Sequence, residues 1–439
     1  EDAGALVAWE RTRQMWPEDI GEGNRNRLAR LLSGRDLDVA EAAVRHERDG
    51  RYVAGKLVRP DYTDVLEVAL RTGASRHVGL LAVDEAQDLT PLQWALVDRW
   101  AGEAERLLVV GDPDQAIYGW AGADGRRLLR WLREGRPARR LWQSWRVPRR
   151  QHAWARAVIG EVVERVDAPY AAAEVDGSVE HWRGRVSYAP VREAQARGER
   201  TLLLSRTCRG CGTIVDDLID ARIPHQAERG SSPLGTAKRP SRAVRCSRAL
   251  DAIASPLGRP DVTDLRALVG MLDTRGPVLA GLRGTKTRVL RGLRGLDGRI
   301  DRDVLAELGV PIEGLAERWA SGDAAAWESA VLERELCIAD LLLVQDWCVE
   351  HCGIERVYEL ASRVVVTTCH GAKGREAPLV VLDARAGSRA WGRDGTADDR
   401  DEDRRLLYVA LTRSQARTIV IRGGSRADWI DQVGVPEPT

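Results

Sequence analysis

Two neighbouring carboxylates stand at the end of an apolar run in the stretch GLLAVDEAQDLTPLQW, residues 79–94. The run 80–83 has the length and composition of a strand buried on both faces of a parallel sheet. Asp84 and Glu85 follow at its C-terminal end, where open α/β sheets bind their ligands. Such a pair, taken alone, is more often a solvated turn, so the other motifs must decide between a turn and a site.

Four further segments carry groups suited to phosphate or nucleic-acid chemistry. They are VVGDPDQAIYGWAGAD (109–124), QSWRVP (143–148), TTCHGAKGREAPLVVLD (367–383) and EDRRLLYVALTRSQAR (402–417). The first has a polar loop after a predicted strand, and the second has an arginine beside an aromatic. We expect the third to open a strand, and the fourth to form an arginine-rich helix ending in Thr412 and Arg413. The candidate residues of the first three segments are Gln115, Tyr118, Trp120, Trp145, Arg146, Thr368, His370, Lys373 and Glu376.

In this order, with DEAQD before them, the segments closely resemble motifs II to VI of the UvrD/Rep-type superfamily-1 DNA helicases. The resemblance runs from about Asp61, in DYTDVL, to about residue 423. It implies an ATP-dependent helicase or translocase that couples hydrolysis to movement on single-stranded DNA and to unwinding at duplex junctions. The polarity implied by the family is 3′→5′.

The chemistry of phosphoryl transfer explains the first set of residues, because it requires positioned charge around the γ-phosphate and an oriented water. Asp84 suits a magnesium ligand. Glu85 suits the general base that polarises the attacking water, and Gln115 the sensor of the γ-phosphate. Arg146 and Arg413 suit arginine fingers, which we expect to come from a second α/β domain across a cleft from the carboxylates.

The resemblance assigns the remaining residues to ATP or to DNA. Trp145 stands where the family has a tyrosine that stacks on adenine, and Glu376 where it has a glutamate that contacts the ribose. Tyr118 and Trp120 correspond to aromatics that stack on single-stranded bases, an interaction that tolerates any sequence. Thr368 and His370 would lie on the DNA side.

Three of these residues have plainer alternatives that the sequence leaves open. Trp120 would otherwise be a core tryptophan, since the chain has 15 of them. Arg413 would otherwise be a solvated arginine at a helix end, and Lys373 a partner in a structural ion pair.

Composition limits the other classes of function. With 439 residues the chain is long enough for two to four domains. Its net charge of +1 gives no general attraction to nucleic acid, so DNA would need a local groove.

No apolar run is long enough for a membrane span, and the first residues are not a signal peptide. Seven cysteines without a regular framework indicate reduced thiols in a cytoplasmic protein, and CRGC (208–211) lacks a second pair at zinc spacing.

Alternation of apolar runs with helical patterns predicts an α/β protein with parallel sheets covered by helices. The resemblance implies two RecA-like parallel-sheet domains with helical insertions, the first domain being incomplete at its N-terminus. We expect a helical insertion over 1–60 and the remainder of the first RecA-like domain over 61–140. The second such domain would span 141–254 and 356–439. A helical subdomain, basic near 275–298, would be inserted between these two segments at 255–355.

A helicase of this class needs a phosphate loop, GxxxxGK[ST], before the carboxylates. The nearest sequence, GRYVAGKL (50–57), has Leu57 in place of the hydroxyl, and Pro60 follows where a helix is needed. We therefore reject it and expect that this chain is a C-terminal portion, that another segment or chain supplies the loop, and that the chain alone is inactive. The alternative is a non-catalytic, helicase-like DNA-binding or scaffold subunit. A helicase–nuclease subunit is more remote.

Overall fold

A computed structural model describes most of the chain from Tyr52 onward. The described residues are 52–53, 56–57, 62–73, 77–184, 186–228, 232–236, 239–272, 285–321, 335–385, 397–423 and 428–434. They divide into two compact units. The first unit is Glu1–Ser144, Ala155–Ala171 and Trp391–Val409, and the second unit is Trp145–Trp154, Ala172–Ala390 and Ala410–Thr439.

Twelve strands and fifteen α-helices are found in the described residues. The strands are β1 Tyr52–Val53, β2 Lys56–Leu57, β3 Leu81–Val83, β4 Leu107–Val109, β5 Ser178–Trp182, β6 Thr201–Ser205, β7 Gln226–Ala227, β8 Gly235–Thr236, β9 Arg239–Pro240, β10 Val364–Thr368, β11 Ala377–Asp383 and β12 Ser414–Ile421. The helices are α1 Tyr62–Thr72, α2 Pro91–Ala101, α3 Arg126–Arg133, α4 Arg149–Gly160, α5 Ala189–Ala196, α6 Cys208–Asp220, α7 Arg242–Ala254, α8 Val262–Met271, α9 Thr285–Gly292, α10 Arg302–Glu307, α11 Ile312–Ser321, α12 Glu335–His351, α13 Ile354–Ser362, α14 Ala397–Leu411 and α15 Trp429–Val433.

A six-stranded sheet in the order β5-β12-β11-β6-β10-β7 forms the centre of the second unit, and every neighbouring pair in it is parallel. Leu203 of β6 lies between Val366 of β10 and Val381 of β11. All three side chains are buried in one cluster with residues of α5 and α6. The residues of opposite parity, such as Leu202 and Leu204, are buried as well, as expected where both faces of a parallel sheet are covered.

Helices α7 to α13 lie between β9 and β10 in the chain, and between residues 255 and 355 the described part of the chain adds no strand to the six-stranded sheet. Their apolar residues pack into two clusters of their own. One includes Leu250, Leu265 and Leu341, and the other is built around Trp347. Since α7 starts at Arg242 and α13 ends at Ser362, the helical region extends beyond both ends of the predicted 255–355 subdomain.

The parallel sheet of the first unit has two strands in the described residues, β3 and β4. On one face, Val83 and Val109 pack against a cluster of α2 and α3 that includes Trp94. On the other face, Leu80 is 49% exposed and Leu108 50% exposed. The expectation that 80–83 is buried on both faces was therefore wrong, because burial requires covering elements that these two strands lack within the described residues.

The rejected phosphate-loop sequence is not a strand followed by a helix. Tyr52 pairs with Leu57 and Val53 with Lys56, so that β1 and β2 form an antiparallel hairpin. Lys56 thus lies in a strand, whereas a phosphate-loop lysine opens a helix. For these four residues the predicted helical insertion over 1–60 is wrong, because Tyr and Val favour strands. The other residues of 1–60, and Asp61, lie outside the described part of the chain.

The predicted arginine-rich helix, which was expected to end in Thr412 and Arg413, is slightly shorter in the structure. Helix α14 ends at Leu411, and the backbone N–H of Arg413 donates to the carbonyl of Ala410 in the turn that follows. Strand β12 begins at Ser414 and continues through the β-branched run TIVI, which favours a strand.

Across the described residues, no helix is both long and apolar enough to cross a membrane.

Candidate functional site

The two carboxylates of the opening stretch lie at the C-terminal end of β3, as predicted from the sequence. Both are exposed, and the backbone N–H of Glu85 donates to Asp84 Oδ1 at 2.9 Å. Glu85 has a left-handed backbone, with φ 50° and ψ 39°. A residue other than glycine adopts this conformation at a cost, and such residues cluster at functional sites. The turn after β3 thereby directs two adjacent carboxylates differently.

Gln87 links this turn to the end of β4. It is fully buried, its side-chain N–H donates to Glu85 Oε2, and its Oε1 accepts from the backbone N–H of Asp112 at 2.9 Å. A Cβ on Gly111 would lie 2.6 Å from that Oε1. The backbone just after β4 therefore approaches Gln87 closely, and a side chain at position 111 would have to displace it. Glu85 is held by this buried amide.

Gln115 lies on a short 3-10 turn, Pro113–Gln115, that follows β4. Asp112 caps this turn through its bond with the Asp114 backbone N–H, and its other carboxylate oxygen accepts from Gln115 Nε2 at 2.6 Å. Arg165, only 10% exposed, donates twice to Asp114, with the shorter distance 2.9 Å. The loop that carries Gln115 is thus fixed by a paired arginine from another part of the first unit.

The aromatic pair follows within the same unit. The rings of Tyr118 and Trp120 are 6.4 Å apart between centroids, and Trp120 is 55% exposed. Its backbone N–H donates to Glu402 of α14 at 3.4 Å. Burial raises the pKa of Tyr118, and the negative charges of Asp88 and Glu85 raise it further. Trp120 is therefore not a core residue, and Tyr118 lies within the electrostatic field of Glu85.

In the second unit, Arg413 and Glu376 meet where β11 and β12 begin. Arg413 is 1% exposed and donates to the hydroxyl of Thr412 at 2.9 Å and to the carbonyl of Arg375 at 3.5 Å. The backbone N–H of Ala377 donates to the Arg413 carbonyl at 3.0 Å. Since these contacts flank Glu376 on both sides, Arg413 fixes the backbone that presents this carboxylate. The burial of Arg413 excludes the alternative of a solvated helix-end arginine.

Arg146 lies beside the same carboxylate. Arg146 Nη1 is 3.5 Å from Glu376 Oε2, and Gln415 Nε2 donates to the other oxygen at 2.9 Å. Trp145, the preceding residue in the chain, is 85% exposed, so that its indole is open to a planar ligand. The structure therefore brings Arg146 and Arg413 to Glu376, three of the four residues that the resemblance assigns to the second unit's share of ATP binding.

Thr368 and His370 are found at the opposite end of the same sheet. Thr368 is the last residue of β10, and its hydroxyl accepts from the Gly371 backbone N–H at 3.1 Å. His370 follows in the turn, and its carbonyl accepts from the Lys373 N–H. The segment 367–383 leads into β11, as expected, while Thr368 itself closes β10, because the β-branched run VVVTT ends there. The second unit thus separates its predicted ATP residues from its predicted DNA residues by the length of the strands.

Sequence reasoning missed the residues that position the others. Gln87 was detectable, since an amide inside the run DEAQD is unusual next to an apolar strand. Arg165 had no local signal, because 51 residues separate it from its partner Asp114. Gln415 lies just past the predicted helix end, and only the pairing of β12 with β11 brings it to Glu376.

The first unit's carboxylates suit magnesium by their chemistry. Among the described residues no group of three or more histidine, cysteine, aspartate or glutamate side chains converges on one point. Asp84 would provide one carboxylate ligand. That number fits Mg²⁺, which retains several waters and binds substrate phosphates in addition to one or two carboxylates.

Two family models match the chain. The N-terminal domain of UvrD/REP helicases matches residues 62–134, which include both carboxylates, Gln115 and the aromatic pair. The C-terminal domain of UvrD-like helicases matches residues 363–421, which include Glu376 and Arg413.

Curated relatives match over shorter stretches. DNA helicase II of Salmonella typhimurium is 41% identical over 68 residues, which is 15% of this chain and 9% of the relative. ATP-dependent DNA helicase UvrD2 of Mycobacterium tuberculosis is 30% identical over 139 residues, or 29% of this chain and 19% of the relative. ATP-dependent DNA helicase PcrA of Staphylococcus epidermidis is 51% identical over 47 residues, or 11% and 6%. The matches thus span less than a fifth of each relative's length. With the motifs in their order, the two family models show that the chain is similar to UvrD/Rep-type helicases over residues 62–134 and 363–421.

Proposed function

We propose that the whole protein is an ATP-dependent DNA helicase or translocase that moves on single-stranded DNA, with 3′→5′ polarity, and unwinds duplex junctions. The observation that carries the proposal is the arrangement after the paired parallel strands β3 and β4, where Asp84 and Glu85 end β3 and Gln115 follows β4. Glu85 is the candidate base for hydrolysis, and Tyr118 and Trp120 are the aromatic pair suited to DNA bases. The loop after β4 thus carries both the candidate sensor of the γ-phosphate and the candidate DNA-stacking aromatics.

In the first unit, Glu85 would orient and deprotonate the attacking water, held in place by Gln87. Asp84 would hold magnesium, which when bound supplies positive charge for the phosphate oxygens. Gln115 would contact the γ-phosphate from a loop that Asp112 and Arg165 fix in place. Rigid support of this kind is what positional catalysis of phosphoryl transfer requires.

In the second unit, the exposed indole of Trp145 would stack on adenine and Glu376 would contact the ribose. Arg146 and Arg413 would stabilise charge on the transferring phosphoryl group. Arginines in that role contribute roughly 10³ to 10⁵ in rate. Arg146, at 3.5 Å from Glu376, would have to exchange this partner for phosphate oxygens.

DNA would contact two places. In the first unit, Trp120 and Tyr118 offer stacking surfaces worth roughly 1 to 3 kcal/mol per base. In the second unit, Thr368 and His370 would contact the strand at the C-terminal edge of the six-stranded sheet. None of these residues reads a base edge by the proposed contacts, so we expect little sequence preference.

Hydrolysis by a helicase of this class needs a phosphate loop, and the sequence of these 439 residues contains no GxxxxGK[ST]. Without that cradle the nucleotide lacks most of its binding energy. We therefore expect the purified chain, with saturating single-stranded DNA and Mg²⁺, to release phosphate far more slowly than roughly 1 s⁻¹. Faster turnover would contradict this expectation. Joining the chain to a segment or partner chain that carries the loop should restore turnover.

The deciding experiment uses the form of the protein that hydrolyses ATP and compares Glu85→Gln with Trp120→Ala. Glu85→Gln should lower turnover by roughly 10² to 10⁴ and leave the affinity for a dye-labelled oligonucleotide nearly unchanged. Trp120→Ala should weaken that affinity, measured by fluorescence anisotropy, and reduce the stimulation of turnover by DNA. Trp142→Ala is a matched control, since Trp142 is similarly exposed but lies outside the aromatic loop.

The rival is a non-catalytic DNA-binding or scaffold subunit in a cytoplasmic complex. It predicts DNA binding that Trp120→Ala weakens, together with no phosphate release even when the loop is supplied. If neither variant changes DNA affinity or turnover, the roles proposed for the aromatic loop and for Glu85 are both wrong.

A further inference from the structure

Two cysteines occupy the first turn of helix α6 in the second unit, in the sequence CRGC. Cys208 is the first residue of the helix and is exposed, and Cys211 is fully buried one turn later. Thr207 caps the helix, with its hydroxyl accepting from the Gly210 backbone N–H at 3.0 Å. The proposed helicase function uses neither cysteine, and no group of three or more potential metal ligands includes them among the described residues.

The spacing places the two thiols on one side of the helix. Residues three apart in an α-helix lie on the same face, with Cα atoms about 5 Å apart. That separation falls inside the range of about 4.4 to 6.8 Å that disulfides span. The two side chains also influence each other: burial raises the pKa of Cys211 to about 12, and the charge of Cys208 contributes to this rise.

The turn is packed tightly against the end of β6. A Cβ on Gly210 would lie 1.9 Å from the hydroxyl oxygen of Ser205, the last residue of that strand. Only glycine therefore fits at position 210, next to Cys211. The buried thiol of Cys211 belongs to the core cluster beneath the sheet, so its position is fixed, while Cys208 is open to reagents in solution.

We propose that Cys208 and Cys211 are a reversible dithiol–disulfide site, with Cys208 as the attacking thiol and Cys211 as the resolving thiol. The oxidant is a small disulfide of the glutathione class. The thiolate of Cys208 attacks one sulfur of oxidised glutathione, forming a mixed disulfide and releasing one glutathione thiolate. The thiolate of Cys211 then attacks Cys208 Sγ, which closes the protein disulfide and releases the second glutathione. Two protein thiols lose two protons and two electrons, and one glutathione disulfide becomes two thiols.

The burial of Cys211 sets the rate of the second step. Because the thiolate is the nucleophile and the pKa of Cys211 is raised to about 12, only a small fraction is reactive near neutral pH. Ring closure should therefore accelerate about tenfold for each pH unit between pH 7 and pH 9. Cys208 in the reduced protein should be trapped first as its glutathione adduct at the lower pH.

The test treats the reduced full chain with oxidised glutathione at pH 8, blocks free thiols with N-ethylmaleimide and digests with trypsin. Cleavage after Arg206, Arg209 and Arg222 separates the two cysteines into the peptides 207–209 and 210–222. In the disulfide form these two peptides remain joined, and their combined mass is lower by two hydrogen atoms. We expect this linked species to become the main form and to disappear after dithiothreitol treatment.

Variants separate the two roles. Cys211→Ser should accumulate the glutathione adduct on Cys208 without linkage, and Cys208→Ser should leave Cys211 unmodified. Cys211→Ala repeats the first test if the serine disturbs the core. The matched control is the pair of Cys348, buried, and Cys352, exposed, which are four residues apart at the end of α12. Wild-type chain that keeps glutathione on Cys208 at pH 9 without linkage, or that leaves Cys208 unmodified while Cys352 reacts fully, would overturn the proposal.

Discussion

The two parallel sheets of this protein are built from similar apolar runs but differ in what covers them. In the six-stranded sheet of the second unit, Leu204 is fully buried, with β10 and β11 on either side. In the two-stranded sheet of the first unit, Leu108 is the middle residue of β4 and is half-exposed. Both leucines lie in runs that predict buried strands. Their different burial shows that an apolar run specifies a strand, while its neighbours determine its contribution to stability.

The sheets also differ in where they place their candidate site residues. The first sheet has Asp84 and Glu85 at its C-terminal edge, in line with the general rule for open α/β sheets. The second sheet has Glu376 and Arg413 at its N-terminal edge and Thr368 at its C-terminal edge. A well-covered sheet can thus support polar groups at both ends.

The largest expected effect tests this difference in covering directly. Leu204→Ala should lower the free energy of unfolding by about 2 to 5 kcal/mol, because it leaves a cavity in a fully packed sheet. Leu108→Ala should change it by less than about 0.5 kcal/mol, since the side chain is already half in water. Urea unfolding followed by tryptophan fluorescence measures both. Equal losses would mean that the first sheet is as well covered as the second in solution.

A smaller effect is expected within the first unit from the close contact at Gly111. Gly111→Ala should destabilise the protein by roughly 1 to 3 kcal/mol, because the new methyl would overlap Gln87 and Leu128. Gly79→Ala is the control, as its Cβ would lie 3.8 Å from the nearest atom, Glu105 Oε2. If Gly111→Ala is as harmless as Gly79→Ala in thermal melting, the link between β4 and Gln87 is loose.

The second unit should also lose stability in mild acid. His225 is fully buried, and burial lowers its pKa from 6.5 to about 4. A depressed pKa of this kind means that the unfolded chain takes up a proton before the folded one does. Its stabilising contribution is therefore complete above pH 6.5 and falls as the pH decreases towards 4, by about 2 kcal/mol between pH 7 and pH 5.

Urea midpoints at pH 7 and pH 5 measure this loss, and His225→Gln should remove it. His77→Gln in the first unit is the control, because the His77 side chain is largely exposed beside Glu105. If the wild-type protein loses no more stability between pH 7 and pH 5 than His225→Gln does, then His225 is solvated in the folded state.

The smallest expected effect concerns the pKa of Tyr118. Because Glu85 is one of the charges that raise this pKa, Glu85→Gln should lower it, though not to the ordinary value, since burial is the larger cause. The raised pKa stabilises the folded state below about pH 10, and this contribution is lost as the pH rises further. Ultraviolet titration of the phenol, with Tyr118→Phe to identify its signal, measures the shift. An unchanged titration would remove the electrostatic link between Glu85 and the aromatic loop.

The elements that the sequence predicted best are those with strong local patterns. Strand β11 coincides with the run APLVVLD, and β10 and β6 follow their β-branched and leucine runs. Strand β7 was missed because two residues carry no periodicity, and β5 because SVEHW mixes polar and apolar side chains. The end of α14 was misplaced because the pattern of a helix continues through Thr412, whereas strand pairing with β11 determines where β12 starts.

The candidate site shows the same division. Asp84, Glu85 and Gln115 were placed correctly at strand ends, because loops after parallel strands are defined by the strands themselves. The partners that hold them were not predicted, since contacts such as Arg165 with Asp114 depend on the folded path of distant segments. Local sequence identifies the groups that would react, and tertiary structure supplies the groups that position them.

The left-handed backbone of Glu85 has a consequence for protein engineering. Glycine and asparagine tolerate this conformation best, so a sequence designed only to stabilise this backbone would place one of them at position 85. A glutamate there gives up stability, which is the usual pattern at sites kept for activity. Stability-based redesign of the first unit would therefore be expected to remove the carboxylate on which the proposed hydrolysis depends, and the melting temperature would rise as the activity disappears.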